Sequence, residues 1–131
     1  MNADKLLIGR LGEDAAARRY ESEGYHVVAR NVHMSHNELD LIVEDETHLV
    51  FVEVKTRHGA YGARSRYGRP ADAVDKSKRA RTVLAAEAYL RAHPTEKQPR
   101  IDVVEVYLRR LSDGTDIVHR VMVFRNAFGA R

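Results

Sequence analysis

The sequence predicts an α/β fold in which a central mixed β-sheet is flanked by α-helices. Three observations lead there. Apolar residues recur at helical spacing near residues 5–23 and 75–93, and in short alternating or continuous runs in five other stretches. The resulting order is helix, three strands, helix, two strands, which suggests one layered α/β unit. At 131 residues the chain has about the size that one hydrophobic core serves, and no repeat or interdomain linker divides it. Residues 1–131 are therefore expected to form a single domain.

The first helix, 5–23, brings Ile8, Leu11, Ala15 and Tyr20 near one stripe, and Gly24 stands where a helix stop is expected. "YHVVAR" (25–30) reads as a strand followed by a polar connection. Two further strands occupy about 38–44 and 49–56. "RHGAYGARSRYGRP" is rich in Gly, Arg and Tyr and predicts a mobile basic loop over 59–69. A helix follows from Asp75 to His93, with Val83, Ala86, Tyr89 and Leu90 as its packed face and Pro94 beyond its end. "RIDVVEVYL" and "VHRVMVF" are strands joined by a turn at "SDGT". The final residues, 126–131, read as a flexible tail.

Composition narrows the function classes. The absence of cysteine rules out disulfides and thiolate metal sites. No apolar run approaches the roughly 20 residues that span a bilayer. The charged N-terminus lacks a signal-peptide core and cleavage site. A cytoplasmic protein with no membrane partner is expected. Gly59, Gly62 and Gly68 form no phosphate-loop pattern. The net charge of +3 is unevenly spread. From Lys55 to Arg81, nine basic residues face only Asp72 and Asp75. That excess suits a polyanion such as nucleic acid, and equally a solvated basic face. Arg57, Arg64, Arg66, Arg69 and Lys78 are the candidate contacts to DNA phosphates.

The chemistry concentrates in "NELDLIVEDETHLVFVEVKTR", residues 37–57. Folded as an antiparallel hairpin around "DETH", with Glu44 opposite Leu49, every opposed pair sums to 93. Leu39–Val54, Leu41–Val52 and Val43–Val50 then make one wholly apolar face. Glu38–Lys55, Asp40–Glu53, Ile42–Phe51 and Glu44–Leu49 make the other. A slip of one residue would set Leu39 against an acid or lysine and spoil the apolar face. The register places Asp40 opposite Glu53, at a repulsion on the order of 3 kcal/mol for a separation of about 5 Å. Lys55, protonation of one acid or a divalent cation between them would offset it. Two adjacent carboxylates suit Mg²⁺ or Mn²⁺, and a neighbouring lysine suits phosphodiester hydrolysis. The bland readings are an edge strand protected by alternating charges and an ordinary Glu38–Lys55 ion pair.

Beyond these residues, "GEDAAARRYESEGYHVVARN", "NELDLI", "FVEVKTR", "AVDKSK" and "RIDVVEV" together resemble the YraN-type bacterial proteins over roughly residues 9–106. That family is similar to the PD-(D/E)xK nuclease superfamily, with the restriction-endonuclease-like fold of archaeal Holliday junction resolvases. The resemblance implies Asp40 and Glu53 as the metal-binding acids and Lys55 as the catalytic lysine. It further implies that Glu13 assists the metal site, that Glu38 belongs to the catalytic group through the G-E-I-D-L-I motif, and that the Val54 carbonyl is a metal ligand. The cofactor would be Mg²⁺ or Mn²⁺ and the partner DNA, with a homodimer common among resolvase-like folds. The sequence departs from the family pattern at Asn37, where glycine is usual, at Ile101, where phenylalanine is common, and in a longer, more arginine-rich "AYGARSRYG".

Three lesser candidates remain. His33 and His36 stand three apart and could bind a transition metal, although no further ligands accompany them at a suggestive spacing. Tyr61 and Tyr67 alternate with arginines and could stack on bases or simply pack. Asp102, a polar residue within a strand, fits a structural hydrogen bond or a site role. Two functions are expected to compete: a divalent-metal-dependent endonuclease acting on branched or single-stranded DNA in repair or recombination, and a non-catalytic DNA-binding or adaptor protein.

Overall fold

A computed structural model describes residues 3–59 and 76–127, with side chains from Lys5 onward. Of the expected mobile loop only Gly59 falls within it, and of the expected tail only Asn126 and Ala127. Arg64, Arg66, Arg69, Tyr61 and Tyr67 lie outside the described residues. The elements are α1 (Ala3–Ser22), β1 (His26–Met34), β2 (Asn37–Glu44), β3 (His48–His58), α2 (Lys76–Ala92), β4 (Gln98–Arg110) and β5 (Asp116–Phe124). The strands form one sheet in the order β1-β2-β3-β4-β5. Among the described residues its only parallel pair is β3–β4. Parallel neighbours need a crossover, and α2 lies between these two in the chain. This mixed sheet with helices is the expected α/β class and is consistent with a restriction-endonuclease-like fold.

Each sheet face has its own core. On one, Ala15, Ala16, Ala17 and Tyr20 of α1 pack with Leu41, Val43, Val50, Val52, Val104 and Val106. On the other, Ala85, Ala86 and Tyr89 of α2 pack with Ile42, Phe51 and Ile101. The small residues of α1 allow close approach: a β-carbon added at Gly12 would fall 1.8 Å from Thr56 Oγ1 in β3. The predicted stop at Gly24 is a Schellman cap. Tyr25 N–H donates to Tyr20 O and Gly24 N–H to Glu21 O, each at 3.1 Å, with Gly24 at φ +93°. Asp102 is wholly buried and structural. It accepts hydrogen bonds from Tyr20 Oη at 2.7 Å, from Arg100 Nε and from the Asn126 N–H, tying α1 and the chain end to β4.

The hairpin adopts the predicted register from Glu44–Leu49 to Leu41–Val52. Asp45 Oδ1 closes its turn by accepting the N–H groups of Thr47 and His48 at 2.9 and 2.7 Å. Beyond Leu41–Val52 the ladder ends. The expected opposed pairs Asp40–Glu53, Leu39–Val54 and Glu38–Lys55 are not ladder partners. Counting in twos from the Asp45–His48 bond, a continued ladder would give the Val54 N–H to Leu39 O. Asp40 Oδ2 takes that N–H instead, at 2.9 Å. Side-chain alternation changes at the same point: Leu39, expected beside Leu41, is buried in the α2-side core. On β1, Arg30 pairs with Leu41 and Val32 with Leu39, leaving Asn31 between them in a left-handed conformation at φ 51°. The polar connection expected after Arg30 is therefore strand. Residues 31–34 extend β1 along the start of β2.

Candidate metal centre

The site lies where β2 and β3 part. Leu49 and Phe51 pack on the α2 side, so strand alternation carries Glu53, Lys55 and Arg57 along that same face. Glu53 is only 4% exposed, and Lys78 in the first turn of α2 places its Nζ 3.3 Å from Glu53 Oε2. Asp40 turns edgewise and binds the β3 backbone. Its carboxylate consequently lies near acids from both sides of the sheet.

The electrostatics express that position. Burial first and the Asp40 charge second raise the Glu53 pKa to about 7, against the attraction of Lys78 and Lys55. Asp40 is likewise raised by burial and by Glu38, while the Val54 N–H, Lys78 and Lys55 favour its ionised form. Glu13, on α1, is raised by burial and by the charges of Asp40 and Glu38. The Asn31 amide, 3.2 Å from Glu13 Oε1, and Arg30 oppose that rise. Asp40 is thus coupled to Glu13 on the α1 side and to Glu53 and Lys78 on the α2 side. Sequence register foresaw that Asp40 and Glu53 come near each other, but set them as opposed ladder partners, which they are not.

Lys55 makes no hydrogen bond or ion pair among the described residues. It is the register partner of Glu105 in β4. Glu105 is wholly buried and accepts Arg57 Nε at 2.7 Å, while its Oε1 has no hydrogen-bond partner among the described residues. Burial raises the Glu105 pKa, and Arg57 and Lys55 lower it in part. Glu38 pairs with His33 rather than with Lys55, at 3.3 Å from His33 Nε2. This excludes the simple Glu38–Lys55 ion pair. No group of three or more His, Asp or Glu side chains that could hold a metal is assembled among the described residues, and His33 and His36 gain no further ligand.

The two carboxylates Asp40 and Glu53 still fit a hard cation that keeps most of its waters, since such ions often take only one or two protein carboxylates. Three contributors escaped the sequence reading: Gly12, Asn31 and the placement of Lys78 on an acid. Lys78 left a signal. The first turn of α2 contains no acid and begins Lys-Ser-Lys-Arg, whereas helix N-termini ordinarily favour negative charge.

Residues 12–106 match the uncharacterised protein family UPF0102. A UPF0102 protein from Symbiobacterium thermophilum is 43% identical over 124 residues, covering 94% of this chain and 97% of the relative. Another from Pelotomaculum thermopropionicum is 39% identical, covering 95% and 97%. A third from Syntrophotalea carbinolica is 36% identical, covering 91% and 92%.

Proposed function

Because the chain belongs to the uncharacterised protein family UPF0102, whose YraN-type motifs it carries, we propose that it is a divalent-metal-dependent DNA endonuclease. The observation that carries this reading is the meeting of Asp40, Glu53 and Lys78 where β2 leaves β3, with Lys55 on the same face of β3. Asp40, Glu53 and the Val54 carbonyl would hold Mg²⁺ or Mn²⁺, with Glu13 assisting from α1. Bound there, the metal would supply a positive centre for phosphate oxygens and acidify a water. Lys55 would stabilise charge developing at the phosphoryl group. Arg57, oriented through Nε by Glu105, retains terminal N–H groups for a phosphate. Arg64, Arg66 and Arg69 would add backbone contacts, and Glu38 would bias the field at Asp40. Branched or single-stranded DNA, acted on in repair or recombination, is the proposed substrate class.

The second reading, a DNA-binding or adaptor protein without catalysis, draws on the lack of a closed three-ligand cage among the described residues. Linear, flapped and four-way DNA incubated with Mg²⁺, Mn²⁺ or EDTA separates the two. Metal-dependent cutting is expected, lost in Lys55→Ala while DNA affinity and fold persist, the pattern of a transition-state role. DNA binding without cutting under every metal condition would establish the adaptor reading instead.

A further inference from the structure

We propose that Lys78 is a placeholder for the metal: its ammonium neutralises Glu53 and Asp40 in the metal-free protein, and the divalent ion takes over that role on binding. This rests on the metal-centre reading and adds how the centre is kept until it is loaded. Two acids from diverging strands repel each other in a buried site, so the metal-free fold needs a cation there whenever both are ionised. Lys78 is that cation by position, at 3.3 Å from Glu53 Oε2. Its charge also favours ionised Asp40. Lys55, although on the same face, makes no ion pair among the described residues.

The location of Lys78 is otherwise unfavourable. A cation in a first helical turn opposes the helix dipole, and α2 places no acid there to offset it. Pairing with Glu53 supplies the compensation. The Lys78 side chain is 32% exposed, in contrast to 5% for Glu53. Its flexible stem can therefore withdraw the ammonium while α2 stays packed through Ala85, Ala86 and Tyr89. A dication bound to the same carboxylates would repel the ammonium and drive that withdrawal. The released charge would then be available to a substrate phosphate.

Lys78→Met keeps the apolar stem and removes the charge. Isothermal titration with Mg²⁺ at about pH 9, well above the Glu53 pKa of about 7, should show affinity rising roughly tenfold as one repelling charge is lost. Lys78→Arg should stay near wild type, and Lys97→Met, which removes a distant partner of Glu44, should leave Mg²⁺ affinity unchanged. Metal-free Lys78→Met should also melt below the wild type, with Mg²⁺ narrowing the gap. Unchanged or weaker Mg²⁺ binding by a folded Lys78→Met would overturn the exchange. Should that variant fail to fold, NMR of the wild-type lysine ammonium signals decides: Mg²⁺ is expected to move Lys78, and a stationary signal at Mg²⁺ saturation rejects the proposal. A wild type that binds no Mg²⁺ would instead sink the metal-centre reading. A melting loss in metal-free Lys78→Met would then still identify Lys78 as the counter-charge of the two acids.

Discussion

Glu53 is a carboxylic acid held against its own preference, and that gives the metal-free protein a pH signature. Its pKa rises from 4.5 to about 7 in the fold through burial and the nearby Asp40. Asp40, Glu13 and Glu105 are displaced in the same direction, chiefly by burial. Groups raised in this way bind protons more tightly when folded, so stability falls as pH climbs from about 4.5 to about 7. At lower pH, Asp116, lowered to about 2 through Arg110 and His58, and Glu23, lowered through Arg19, favour unfolding as they are protonated. Metal-free protein should therefore melt several degrees higher at about pH 5 than at about pH 7.5. Glu53→Gln should flatten much of that slope, and calorimetry across the range checks it. A slope identical in wild type and Glu53→Gln would remove Glu53 as its source. That Asp40 comes near enough to act on Glu53 was legible from alternation and hydrophobic pairing, although the two are not the opposed ladder partners that the register predicts. Lys78 was not legible on Glu53, since no periodic pattern links the start of a helix to a strand more than twenty residues earlier.

At the scale of elements, α1 and the β2–β3 fork are the two devices that assemble the site. Gly12 lets α1 settle onto Thr56, and the next residue is Glu13, whose carboxyl senses Asp40. A methyl group at Gly12 would need Thr56 or the helix to move, because 1.8 Å is far inside van der Waals contact. Gly12→Ala is therefore expected to destabilise the protein by about 1–3 kcal/mol, despite alanine's better helix propensity. Denaturant unfolding measures the change. Gly9, one turn earlier, serves as the control because an added β-carbon there meets nothing within 4 Å. Gly9→Ala should be neutral or stabilising. Equal effects at the two positions would dissociate α1 packing from Gly12. Helix and strand positions were readable from periodicity, and the hairpin to the residue as far as Leu41–Val52. The fork was not readable, because a side chain taking over a backbone hydrogen bond leaves hydrophobic spacing unaltered up to that point. The extension of β1 through residues 31–34 was hidden for a related reason: Asn31 and His33 look like loop residues until β2 pairs with Arg30, Val32 and His33 around Asn31.

Across the whole molecule, charge is segregated along the chain. Residues 55–81 hold nine basic and two acidic side chains, while the remainder holds 13 basic and 17 acidic. A modest net charge of +3 therefore conceals a strongly basic stretch against an acidic background. This stretch begins in β3 at Lys55 and Arg57 and ends in α2, whose Lys78 meets Glu53, so both its ends adjoin the carboxylate site. A polyanion held by Lys55, Arg57 and Lys78 would lie beside Asp40 and Glu53. Arg64, Arg66 and Arg69 can be tested together without altering the carboxylates. Replacing all three with alanine should weaken DNA binding across sequences and flatten the dependence of log affinity on log salt by about two to three units, or roughly 0.9 for each phosphate no longer neutralised. Arg57→Ala should flatten the slope by about one unit, because its guanidinium is aimed by Glu105 from the edge of the site. Fluorescence anisotropy over a salt series gives both numbers. An unchanged slope in the triple variant would make the arginine-rich stretch a solvated segment and leave Arg57 and Lys78 as the phosphate-binding groups nearest the acids.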